Sequence, residues 1–136
     1  MMTKSEKNRQ FILEFYKAIN GNKKTRTSLA LFISDQKLTT HLLFLEQLFP
    51  KFRLIPEEIT AEQDRVIVRA ELTGKHTGEL EGIPPTQKNI NTAFAIGYRI
   101  ENNKIIDHWF ITDQIELIKQ LGLATLLDEM LKSNPD

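Results

Sequence analysis

The chain has no cysteine. That excludes a disulfide framework, a thiol nucleophile, an iron–sulfur cluster and a cysteine-ligated zinc site, and it agrees best with a reducing compartment. Neither sign of charge is in surplus: 18 basic and 18 acidic side chains give a formal net charge of zero. A nucleic-acid-binding face needs an excess of Lys and Arg to neutralise phosphates, so none is expected. No apolar run approaches the ~20 residues of a membrane span. The polar start MMTKSEKNRQ has no apolar stretch of the kind a signal peptide needs. The expectation is a soluble, cytoplasmic protein. There is no Gly-rich phosphate loop, and no nucleophile with a base at a working spacing, so no cofactor is expected. His41, His76 and His108 fall on separate elements without metal-ligand spacing, so no metal site is expected either.

What is present is the composition of a globular protein: 136 residues, 40% hydrophobic and 26% charged. Chains of this size bury roughly 68% of their unfolded surface, enough for one core and one domain, residues 1–136. Phe11, Ile12, Phe15, Tyr16 and Ile19 recur at helical spacing and predict a helix over 4–20, opened by the capping-box pair Thr3 and Glu6. A short helix follows over 25–33. Asp35 can cap a third, which carries Leu38, Leu42 and Leu45 to about Phe49 and ends at Pro50.

The period then changes from helical to alternating. Strands are predicted over 52–62, 65–77, 89–101 and 104–112. Gly74 suggests a bulge or bend in the second. Asn102-Asn103 reads as a two-residue hairpin turn, with Glu101 and Lys104 able to pair across it. A last helical region starts at Asp113 and breaks near Gly122. Hairpin-linked strands make an antiparallel sheet, and helices that precede it must cover one face. The fold class is α+β, a cone-shaped barrel with a pocket between the layers. Ala93, Ala95 and Gly97 share one face of the third strand and open space there.

Three stretches carry a family resemblance: DRVIVRAELTGKHTGELEGIPPT, NNKIIDHWFITDQIELIKQLG, and His41 followed by FPKF. They resemble the SnoaL-like proteins, polyketide and ester cyclases of the nuclear transport factor 2-like (cystatin-like) fold. The resemblance implies a curved antiparallel sheet wrapped around helices, and homodimers or larger assemblies through the outer sheet face. It implies a small apolar or aromatic polyketide-like ligand, and ring closure by an intramolecular aldol reaction without metal or cofactor. The family's acid/base aspartate matches Asp113. Trp109 belongs to the same motif, and His41 stands where many relatives keep a helix histidine. The chain departs from the pattern at Gln87, where a glycine is usual. It also has Arg99, and no histidine, on the strand beside the aspartate.

The candidate site is therefore Asp113 as acid/base, with His41, Trp109 and Arg99 contacting ligand. Each has a structural alternative. Asp113 has Glu116 three residues on, which is capping-box spacing. His41 lies on an apolar helix face and can be a core histidine. Arg99 can pair with Asp107 or Glu101. By strand parity Trp109 shares a face with Asp113, and His108 faces the other way, towards the outside or an interface. His76 reads as a rim residue, and Lys23, Lys24 and Arg26 as a solvated corner. The second function class is a non-catalytic binding or dimerisation domain of the same fold, which fold alone does not distinguish from an enzyme.

Overall fold

The computed structural model describes residues 1–79, 82 and 84–123. Three helices come first: α1 (Lys4–Ile19), α2 (Arg26–Ala30) and α3 (Gln36–Leu48). Four strands follow, β1 (Arg53–Glu62), β2 (Arg65–Lys75), β3 (Asn89–Glu101) and β4 (Lys104–Thr112), and then α4 (Gln114–Gln120). The sheet is antiparallel throughout, in the order β1-β2-β3-β4. It is an α+β fold with the N-terminal helices in the concave face of the sheet. No helix among the described residues is long and apolar enough to cross a membrane.

Local chemistry sets the element ends. Thr3, Thr25, Asp35 and Asp113 each accept a backbone N–H at the start of a helix. Asn102 and Asn103 both adopt positive φ, as a turn matching the strand twist requires. Glu101 and Lys104 are paired in register there. Their side chains do not meet: Lys104 Nζ donates to the Ala30 and Leu31 carbonyls, and Glu101 lies near Arg99.

The core lies between α1, α3 and the concave sheet face. Ile12 and Phe15 of α1 share one buried cluster with Val66 and Val68 of β2 and Ile100 of β3, all at 0–1% exposure. Each such side chain contributes about 1.5–3 kcal/mol by leaving water. Asn20 ties α1 to the sheet edge: it donates to Leu54 O and accepts from Leu54 N, at 2.8 and 2.7 Å.

Gly74 does not mark a bulge. β2 pairs with β3 without a register shift, and a Cβ at Gly74 would lie 2.9 Å from Phe49 Cβ. Small size there lets the end of α3 approach the strand. The shifts fall at Pro56/Glu58 in β1 and where Arg99/Ile100 face β4. Lys24 is not solvated either. It is 2% exposed, donates to the Phe52 carbonyl, and lies 3.6 Å from Glu46 Oε1 and 3.8 Å from the Phe52 ring centre. Burial pushes its ammonium down to about 8, with Glu46 opposing the shift.

His76 is wholly buried, not a rim residue. Its Nδ1 accepts from Thr86 N at 3.1 Å and lies 3.0 Å from Thr86 Oγ1. Its backbone N–H donates to Lys88 O, and its carbonyl accepts from Gln87 N. The histidine of the GKHTG stretch thus fastens both ends of the loop that holds the prolines. Gly78 beside it crosses the end of α3 so closely that a Cβ would meet Gln47 O at 1.6 Å.

Candidate functional site

The four sequence candidates separate into three places. His41 is on the inside, on α3. Trp109 and Arg99 are on the outside of the sheet. Asp113 stands exposed at the start of α4, its Oδ1 accepting from Glu116 N at 2.9 Å.

Strand parity explains the separation. Tyr98 pairs with His108, Ile96 with Phe110 and Phe94 with Thr112, so the even positions at this end of β4 follow the inward row of β3. Trp109 pairs with Gly97 on the other face and is 46% exposed. The expected alternation is present, but the inward row is that of Phe110 and not that of Trp109. His108 is consequently inside, not at an outer interface. The irregularity opposite Arg99/Ile100 sets this parity. Ile105 and His108 are three residues apart, yet Ile105 is fully buried and His108 turns towards α3.

On the outer face, Trp109 lies over Gly97, where a Cβ would stand 2.1 Å from its Nε1. Arg65, Ile67, Arg99 and Asp107 complete an open groove of about 270 Å³. Arg99 is paired by its Nε to Asp64 Oδ2 at 3.0 Å, with Glu101 3.7 Å away. Asp64 holds that guanidinium above its ordinary value, and Arg99 in turn holds Asp64 below its own. The space opened by the small residues of β3 is thus filled by an indole, outside the helix–sheet cleft.

On the inner face, Leu38, His41 and Leu45 of α3 oppose Leu72, Phe94 and Phe110 of the sheet. The free volume between them is about 20 Å³, room for one water. Its walls are apolar except at one end. There the His41 ring packs edge-on against Phe110, with centres 4.7 Å apart. Desolvation lowers the pKa of His41, and the charge of His108 lowers it further.

His108 Nδ1 bonds to Asp35 Oδ2 at 2.6 Å. The other oxygen of Asp35 caps α3, accepting from Lys37 N and Leu38 N at 3.0 and 3.3 Å. One carboxylate therefore fixes both the helix start and the imidazole. The carboxylate accepts from Nδ1, and that bond sets the orientation of the ring beside the start of α3. Tyr98 is on the same wall, its hydroxyl 2.7 Å from that of Tyr16. Of the polar groups here, His41 and Tyr98 line the cleft, an imidazole able to accept a proton and a hydroxyl able to donate a hydrogen bond. Sequence reading did not bring out Tyr98, His108 and Phe110, which share the inward face of the sheet. The signal that could have found them is the inward row of β3, carried across the hairpin with one extra residue.

No protein of curated function matches the chain. Solved structures do, at identities that establish fold alone. AclR of Streptomyces galilaeus, named as a candidate hydroxylase, is 21% identical with a TM-score of 0.74, over 94% of this chain and 92% of that one. IdmH of Streptomyces antibioticus, named as a candidate polyketide cyclase, is also 21% identical with a TM-score of 0.68, over 85% and 98%. A SnoaL-like polyketide cyclase of Agrobacterium tumefaciens is 17% identical with a TM-score of 0.69, over 90% and 100%. These are nuclear transport factor 2-like folds, with the same helices on a curved sheet. The sequence pattern of SnoaL-like polyketide cyclases matches residues 33–121, from just before the α3 cap to the end of α4 and about two thirds of the chain. With fold and sequence pattern in agreement, the chain belongs to the SnoaL-like polyketide cyclase family.

Proposed function

We propose that this protein is a cofactor-independent polyketide (ester) cyclase that closes a ring by an intramolecular aldol reaction in the cleft between α3 and the sheet. The observation that carries the reading is His41 on the wall of an otherwise apolar cleft, edge-on to Phe110, with the Asp35-held His108 near enough to lower its pKa. Neutral His41 takes the proton from a carbon between two carbonyls. The enolate carbon attacks a carbonyl further along the same chain, a C–C bond forms, and the alkoxide produced takes a proton back from an imidazolium. No proton or electron is gained overall. Holding one flexible chain in a folded conformer supplies much of the rate. The cleft has room for about one water, so admission of a ligand requires Phe110 and His41, both partly buried, to move aside.

The family resemblance puts the base at Asp113. The geometry supports His41 better, because Asp113 is exposed and caps α4, whereas His41 lines the desolvated cleft. The test is turnover of a synthetic linear poly-β-ketone ester to its ring-closed product. Asp113→Asn, which keeps the cap, is expected to change turnover by no more than about threefold, against the roughly hundredfold or greater loss that follows removal of a general base. A hundredfold loss at an unchanged melting temperature moves the base to Asp113.

A second reading has one observation in its favour. A free volume of about 20 Å³ suits a non-catalytic domain whose cleft is filled by its own side chains. That reading expects no turnover from any variant and no ligand in the cleft. The homodimer implied by the family draws support from Ile67, Trp109 and Ile111, three large apolar side chains 45–65% exposed on the outer face.

A further inference from the structure

Tyr16 and Tyr98 are 2% and 3% exposed, and their hydroxyl oxygens lie 2.7 Å apart. Each hydroxyl has one proton to donate. The bond between them uses one of the two. The second proton has no acceptor among the described residues. Only one of these tyrosines, Tyr98, lines the cleft. Tyr16 is turned into the core, with the Phe15 ring centre 5.7 Å from its own. The direction Tyr16 to Tyr98 therefore leaves the spare proton on the cleft wall, and the reverse direction leaves it in the core. Burial keeps both phenols protonated far into alkaline pH, so the donor persists wherever the protein is folded.

We propose that Tyr98 is the hydrogen-bond donor of the cleft, holding the carbonyl oxygen of a ligand and the negative charge that forms on it, with Tyr16 as the positioning residue that donates to Tyr98. This rests on the reading of the cleft as the ligand site and goes beyond it by assigning the oxygen-holding group. When a base removes the carbon-bound proton, the electron pair moves onto the carbonyl oxygen. A donor already aimed at that oxygen stabilises the enolate most where water is excluded. No proton is transferred from Tyr98. The ligand class is a ketone or β-dicarbonyl attached to an apolar or aromatic body.

The test uses two probes of one shape, acetophenone and α-methylstyrene, which differ in having C=O or C=CH2. Affinity is measured for both, and the carbonyl stretch of bound acetophenone is read by infrared difference spectroscopy. The wild-type protein is expected to prefer acetophenone by about threefold to tenfold, the value of one neutral hydrogen bond, and to lower its carbonyl frequency. Tyr98→Phe is expected to abolish both effects while leaving the α-methylstyrene affinity unchanged. Tyr16→Phe, the second variant should Tyr98→Phe fold poorly, is expected to weaken the preference and the frequency shift without removing them. Equal affinity for the two probes in the wild-type protein overturns the assignment and leaves the cleft reading standing. So does complete loss in Tyr16→Phe with retention in Tyr98→Phe, which makes Tyr16 the donor. Failure of both probes to bind overturns the assignment and the cleft reading together.

Discussion

His41→Ala is expected to lower the rate of ring closure by about a hundredfold or more, the usual cost of losing a positioned general base. The fold should survive, because His41 is only partly buried and its main contact is the edge of Phe110. The pH profile gives the signature that lost packing cannot mimic. Desolvation and the charge of His108 hold His41 below the usual value of 6.5, so the active neutral form persists into mild acid and the acid limb of kcat/KM has its midpoint below 6.5. His108→Ala removes the second cause, so that midpoint moves up towards 6.5. A limb in the carboxylate range that does not move in His108→Ala places the titrating base elsewhere.

The second large effect is on stability. Glu46→Gln is expected to cost about 3–5 kcal/mol, because it leaves the Lys24 ammonium buried without its counter-charge. The neutral amide can still accept the Lys51 N–H that Glu46 Oε2 takes at 2.9 Å, so the loss reports the charge and not the turn. Lys24→Met strands Glu46 in the same way. The pair Lys24→Met and Glu46→Leu should recover most of the loss, since a buried ion pair can often be exchanged for apolar packing. Equilibrium urea unfolding of the four proteins measures this.

The same lysine sets a pH dependence. Its ammonium loses its proton at about 8 in the folded protein and at 10.5 in an ordinary setting, so between those values the unfolded chain binds more protons. Stability therefore rises with pH from about 8 upwards. Above 10.0, the ordinary value for tyrosine, the buried phenols Tyr16 and Tyr98 act in the opposite sense, because the folded state keeps protons that the unfolded chain releases. These groups together give a maximum near pH 10. The rise on its acid side should be missing from the Lys24→Met and Glu46→Leu double variant, and a rise that persists there belongs to other groups.

The fold was legible because its signals are local. Thr3, Asp35 and Asp113 announce helix starts, Asn102-Asn103 announces a hairpin, and the alternation of 89–101 matches β3 end to end. The site was only partly legible, because it depends on which face of each strand turns inward. His41 could be placed inside from its apolar helix face. Trp109 could not be placed outside without the extra residue opposite Arg99/Ile100, which resets the parity of β4, and Arg99 is outside because β3 turns its even row inward. Lys24 shows the same limit from the other side. In sequence it belongs to a basic loop cluster, and only tertiary packing brings Glu46 and the Phe52 ring to it. Asp35 was visible as a helix cap. Its second oxygen finds His108 across 73 positions of sequence, a pairing that no local pattern records.

The most direct measurement is a crystal structure of the protein with a stable enol, 1-phenylbutane-1,3-dione, bound at saturation. The diketone is expected between α3 and the sheet, with Phe110 displaced, the central carbon facing His41 and one oxygen on the Tyr98 hydroxyl. Density for the diketone in the outer groove against Trp109 and Arg99, with the cleft still closed, would contradict it.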